Sequence, residues 1–119
     1  MKIRGVRGAI TTKENSKKEI FAATRVLMDT IISSNHIDQE DVAAIFFTST
    51  KDLDAAYPAE AVREMGWTIV PLLCYQELAV AGSLKKCIRA LILWNTNITS
   101  DQIRHIYLEQ ASQLRPDLA

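Results

Sequence analysis

The chain has no excess of charge of either sign, little cysteine or histidine, and no apolar run long enough for a membrane. Fourteen Lys plus Arg stand against fourteen Asp plus Glu in 119 residues. The basic surplus that marks a general nucleic-acid or anionic-membrane binder is therefore missing. Cys74 and Cys87 form no CxxC, and the only histidines, His36 and His105, are remote from both in sequence. Neither a zinc site nor a disulfide framework is signalled. The best apolar run, Ile88 to Trp94, contains Arg89, and it falls short of the about 18–20 residues a membrane helix needs. Met1-Lys2-Ile3-Arg4 lacks the apolar core of a signal peptide, so the expectation is a soluble, cytoplasmic protein. There is no GxSxG elbow, no GxxxxGK(S/T) phosphate loop, no GxGxxG and no HExxH. Lys85-Lys86 is a pair, far short of a nucleic-acid patch.

What is there reads as one globular domain spanning residues 1–119. The 48% apolar and 24% charged fractions are those of an average soluble domain. The length suits a single core, and no linker, repeat or low-complexity stretch divides it. The first ten residues read as a strand, with Gly5 and Gly8 marking a bend or a close backbone approach. Ser16 and Glu19 make a capping box for a helix with Ile20, Thr24, Leu27 and Ile31 at helical spacing, ending near Asn35. Val42 to Thr48 is apolar at both parities, as in a strand buried on both faces. Strand, helix and strand predict a right-handed βαβ crossover.

Lys51 to Tyr57 reads as loop, and Pro58 opens a short helix running to about Met65. Ile69–Cys74 and Cys87–Trp94 read as strands. Thr99 and Gln102 form a second capping box, predicting a last helix with Ile103, Ile106, Tyr107 and Ala111 on one stripe, before Pro116 stops the chain. The fold class is α+β, a mixed sheet of about five strands packed with about three helices.

Residues that break these patterns point to a site. On the first strand, Ile3, Gly5 and Arg7 share one face, and Lys2, Arg4 and Val6 the other. Arg7 is either an edge-strand arginine in water or a group beside glycines that let a ligand approach. Arg89 interrupts a strand otherwise apolar on both faces. A guanidinium there must be paired, for instance with Glu77, or must point into a pocket, because an unpaired buried charge costs several kcal/mol. Glu77 in Tyr75-Gln76-Glu77-Leu78 is a solvated loop carboxylate or that partner. Taken singly, Tyr107 reads as a core tyrosine, Arg63 as surface, and Leu114-Arg115-Pro116 as plain terminus. Cys74 reads as a small buried thiol rather than a nucleophile, with no histidine near it in sequence. Arginines in apolar strands suggest a site for a compact anion, without naming it.

The chain resembles a known family. Arg4-Gly5-Val6-Arg7-Gly8-Ala9-Ile10-Thr11, Asp52 to Ala59, Ala61-Val62-Arg63-Glu64, Val70 to Cys74, Gln76-Glu77, Gly82 to Arg89, Asp101 to Glu109 and Leu114 to Leu118 occur in order with no large insertion. They are similar to the small monofunctional chorismate mutases of the Bacillus subtilis type. The resemblance implies a homotrimer forming a pseudo-α/β barrel, with active sites at subunit interfaces. It implies the Claisen rearrangement of chorismate to prephenate, on the way to phenylalanine and tyrosine, with no cofactor and no metal.

Carried over by position, the resemblance implies that Arg89 faces the ether oxygen of the substrate. Arg7 would hold a carboxylate with help from the Tyr107 hydroxyl. Glu77 and the backbone of Cys74 would meet the ring hydroxyl, Glu77 also orienting Arg89. Tyr57, Arg63, Leu72, Leu73, Leu114 and Arg115 would be wall or mouth positions. Tyr57 replaces a phenylalanine, and Glu60 stands where the Bacillus protein has a lysine, which weakens attraction of a dianion there. The chain ends at Ala119, sooner than some relatives. The alternative to catalysis is a trimeric binding module of the same fold, sensing an anionic metabolite of the aromatic pathway.

Overall fold

Ser16 starts the first helix as the capping pattern predicts: its hydroxyl accepts the Glu19 N–H, and helix α1 runs over Lys17–Asn35. Ile20, Phe21, Thr24, Leu27, Met28 and Ile31 form its buried stripe. The helix ends at His36, in the left-handed conformation with φ 56°. In this computed structural model, which describes residues 1–117, five strands and a second helix complete the chain. They are β1 (Lys2–Thr11), β2 (Val42–Ser49), α2 (Pro58–Glu64), β3 (Leu72–Gln76), β4 (Cys87–Thr96) and β5 (Ile106–Tyr107). Pro58 occupies the first turn of α2, where its missing N–H costs nothing. No helix among the described residues is long and apolar enough to cross a membrane.

The strands form one mixed sheet in the order β3-β2-β4-β1-β5. Its inner face meets the helices: Val6 and Ile10 of β1, Ile45 and Phe47 of β2, and Ile88, Ala90, Ile92 and Trp94 of β4 are buried there in one core with α1 and α2. At Gly8, α1 comes close to β1. A Cβ built on Gly8 would lie 2.6 Å from Ile31 Cδ1 and 3.1 Å from Leu27 Cδ1, so the expected close approach is helix on strand.

One sequence expectation is met in a modified form, and three need correction. β1 and β2 are parallel but not neighbours, because β4 lies antiparallel between them. The expected βαβ crossover is therefore split, and the strand with the longest apolar run takes the centre, where both edges are hydrogen-bonded. β3 begins at Leu72 rather than Ile69. Pro71 has no N–H to give a ladder, though its carbonyl accepts from Ile45, and Ile69 is 88% exposed. β2 is fully buried on one face only; Phe46 and Thr48, on the other face, are half-buried.

The third correction concerns the last helix. The Thr99–Gln102 capping box is present but caps a single 3-10 turn, Ser100–Gln102. The chain then extends into β5, parallel to β1, and closes with a 3-10 turn over Glu109–Gln113. The chain therefore has two α-helices rather than three among its described residues. The physical reason is an open strand edge. Beyond β1 lies a row of unpaired backbone groups, and the β-branched and aromatic residues Ile106 and Tyr107 suit a strand. Ala9 C=O takes the Leu108 N–H at 2.9 Å. The buried Asn35 amide clamps the Arg104 backbone on both sides, accepting from its N–H and donating to its C=O, each at 2.9 Å.

Candidate active site

The period of two that buries one face of the sheet places a different set of residues on the other. Register aligns Arg7 with Leu91, Ala9 with Arg89, Arg89 with Thr48, Thr48 with Tyr75, and Ala9 with Tyr107. Arg7, Arg89 and Tyr107 therefore share the outer face. Ala9 is the small residue between Arg89 and Tyr107, and two strand spacings separate those two backbones, about 10 Å. Arg7 is not on an edge strand, since β5 covers that side of β1. It is half-buried and makes no ion pair among the described residues.

Arg89 and Glu77 meet directly. Arg89 Nε lies 2.6 Å from Glu77 Oε1. The contact is an ion pair by distance but not a directed hydrogen bond, and Nε is left without a hydrogen-bond partner. The arginine side chain is 43% exposed and the glutamate 16%, so the pair stands at the opening of the outer face rather than in the core. Glu77 extends the β3 ladder by one bond, its N–H donating to Ser49 C=O at 2.9 Å. Thr48 Oγ1 donates to the same Glu77 Oε1 at 3.0 Å.

Behind Arg89, a polar knot fixes the start of β4. Asp52 takes the Lys86 N–H with both carboxylate oxygens, at 3.2 and 3.0 Å. This holds Lys86 at a φ of 50°, in the left-handed region. Thr50 Oγ1 donates to Asp52 and accepts the Cys87 N–H, while the Thr50 N–H reaches Cys87 C=O. Only Ile88 separates this knot from Arg89. Sequence reasoning assigned no role to Thr48 or Asp52. The closely spaced Thr50 and Asp52, a pattern that favours side-chain-to-backbone turns, was the available signal for the knot.

The other predicted positions fall into two groups. Tyr57, exposed at the start of α2, lines a cavity of about 460 Å³ with Cys74, Glu60, Lys17, Lys51 and Asp54. Glu60 there has two lysines for company. Arg63 is exposed in the last turn of α2, on the side that faces Cys74. Leu72 turns to the inner core and Leu73, 52% exposed, to the outer face. Around the buried Ala9, Cys87 and Ala111, a second small cluster gathers Tyr107, Leu84 and Leu114. Arg115 grips Asp117 through Nε at 3.1 Å and Nη2 at 2.9 Å. The Tyr57 cavity includes neither Arg7, Glu77, Arg89 nor Tyr107.

The thiols are placed for packing. Burial raises the Cys74 pKa, with Glu60 adding slightly and an Ala59 backbone bond and Arg63 opposing. Cys87 is pushed up to about 11, first by desolvation, against the pull of Arg89. Both are protonated at neutral pH and poor nucleophiles. An open face with two arginines, one carboxylate and one phenol is suited to recognising a small anion bearing a hydroxyl.

The chain matches the family model for chorismate mutase type I over residues 3–118. It is 48% identical to the chorismate mutase AroH of Bacillus subtilis (strain 168) over 120 aligned positions, covering 100% of this chain and 94% of that protein. Against the AroH chorismate mutase of Thermus thermophilus the identity is 49%, covering 98% of this chain and 96% of the relative. The solved chorismate mutase of Clostridium thermocellum superposes with a TM-score of 0.90 at 44% identity, over 92% of this chain and 97% of that one. With sequence and fold agreeing along nearly the whole length, this chain belongs to the type I chorismate mutase family.

Proposed function

We propose that the outer face carries out the Claisen rearrangement of chorismate to prephenate, in a cytoplasmic homotrimer whose subunits complete one another's sites. The observation that carries the reading is Arg89. It sits in an apolar strand, and Glu77 holds it at the opening of the face.

A pericyclic rearrangement moves electrons within one molecule, so no nucleophile, proton shuttle, cofactor or metal is asked of the protein. Two effects remain. The flexible dianion must be held in its compact, chair-like conformer, an orientation effect. The breaking C–O bond also puts negative charge on the ether oxygen in the transition state, and a fixed cation aimed there stabilises that state more than the ground state. In this reading Arg89 supplies the cation. Glu77 orients it and takes the ring hydroxyl together with the Cys74 backbone. Arg7 and the Tyr107 hydroxyl hold a carboxylate, while Tyr57, Arg63, Leu73, Leu114 and Arg115 serve as wall and mouth; Leu72, also expected there, packs into the inner core instead.

The division of these residues supports subunit sharing. Tyr57 and Cys74 line one cavity, whereas Arg7 and Tyr107 stand apart from it. The outer face also leaves Ile3, Leu73, Tyr75 and Leu91 open to solvent, a surface suited to packing against copies of itself. The test is to follow the ultraviolet absorbance of chorismate with protein and no additive, alongside sedimentation. Loss of absorbance with prephenate formed, by a particle three chains in mass, is the expected result. Binding of chorismate without turnover would leave a sensor instead of an enzyme, and a monomer active at full rate would overturn the shared site.

A further inference from the structure

β5 is only two residues long, and its attachment to β1 is completed by a side chain. At one end Ala9 C=O accepts the Leu108 N–H, at 2.9 Å. At the other, where a longer strand would present a carbonyl, the Arg7 backbone N–H donates to His105 Nδ1, also at 2.9 Å. One imidazole therefore anchors the backbone of Arg7 directly and fixes the segment that carries Tyr107 two residues later.

We infer that His105 is a positioning residue, whose neutral ring sets the placement of Arg7 and Tyr107 on the outer face. This rests on the role proposed above for those two residues. Nδ1 can accept only while it carries a lone pair, so the ring must be neutral with its proton on Nε2. A doubly protonated ring would turn a donor toward the Arg7 N–H and break the bond.

The surroundings favour the neutral form. Arg7 faces the ring from β1 and Arg115 from the tail; Arg104 and Tyr107 flank it in its own segment. Asp117 lines the same hollow but is engaged by Arg115. α1 presents only Thr30 and Ser34, which carry no charge. Partial burial first, then Arg7 and Arg115, hold the His105 pKa below its ordinary 6.5. The bond is therefore intact at neutral pH and is lost as pH falls through that depressed value.

The experiment compares wild type, His105→Ala and His105→Asn in the chorismate assay across pH. An asparagine Oδ1 sits close to where Nδ1 sat and accepts without titrating. Loss of a hydrogen bond to a part-buried donor predicts about a tenfold fall in kcat/KM for His105→Ala, mostly as a rise in KM because Arg7 acts in binding. His105→Asn should stay within about twofold of wild type and lack the acid limb expected of wild type below pH 6.5. Equal values for His105→Ala and wild type, or His105→Asn as impaired as His105→Ala, would overturn the inference. Where His105→Ala does not fold, amide NMR of the wild type decides. The Arg7 N–H should shift with the His105 ring titration, and an Arg7 signal indifferent to it sinks the idea. Wild type inactive on chorismate would instead defeat the functional reading, while the amide titration would still report on the bond.

Discussion

The two faces of the sheet are built from alternate residues of the same strands, yet they obey opposite rules. The inner face, with Val6, Ile45, Phe47, Ile88 and Ile92, is apolar through its centre and closed by two helices. The outer face takes every second residue of the same strands and carries Arg7, Thr48 and Arg89, with Glu77 just beyond β3. In the proposed reading, stability and chemistry are separated by one step along the backbone, since a strand sends neighbouring side chains to opposite sides. Substitutions on the inner face should change how much protein is folded, and those on the outer face what the folded protein does.

The largest effect on stability is expected from Leu27→Ala on α1. Its side chain is fully buried against β1, and truncation should cost about 2–5 kcal/mol in urea unfolding. The activity of the molecules that remain folded should be unchanged; a specific loss would mean that the faces are coupled. On the opposite side, Glu77→Gln keeps the volume and removes the charge that holds Arg89. Losing a hydrogen-bonding charge of about 1.5–3 kcal/mol predicts a fall in kcat/KM of about 10- to 100-fold, with the unfolding midpoint unmoved. Thr48→Val removes one hydroxyl from Glu77 and should cost about 0.5–1.5 kcal/mol in the same rate. An equal cost in stability instead would make Thr48 a residue of the fold.

The smallest effect concerns pH. The unfolded Cys87 thiol ionises near 9.0, while the folded one is pushed up to about 11. Between these values the folded state holds a proton that the unfolded state has released, so stability falls as pH rises from 9 to 11. Cys87→Ala should flatten that decline in unfolding curves measured across the range.

The same alternation explains what could be read without coordinates. Parity alone put Arg7 opposite Val6 and marked Arg89 as foreign to an apolar strand. The pairing of Arg89 with Glu77, one of the two alternatives its place in an apolar strand allows, is present, and it is compatible with a functional role. What escaped depends on contacts distant in sequence. The β5 segment reads as helix in the sequence because a capping box and a 3.6-residue spacing coincide there, whereas the free edge of β1 and the Asn35 clamp decide the outcome. His105 could not be singled out, because its partner lies 98 residues away. Thr48 looked like the tail of an apolar run until the register set it opposite Arg89.

The central claim is that charge on the outer face performs the reaction without holding the fold together. Arg89→Ala tests it most directly, with kcat/KM and the urea midpoint measured on one preparation. The account predicts a rate loss of at least about 10²–10³ with an unchanged midpoint and oligomer. An Arg89→Ala protein that turns over chorismate at the wild-type rate would contradict it.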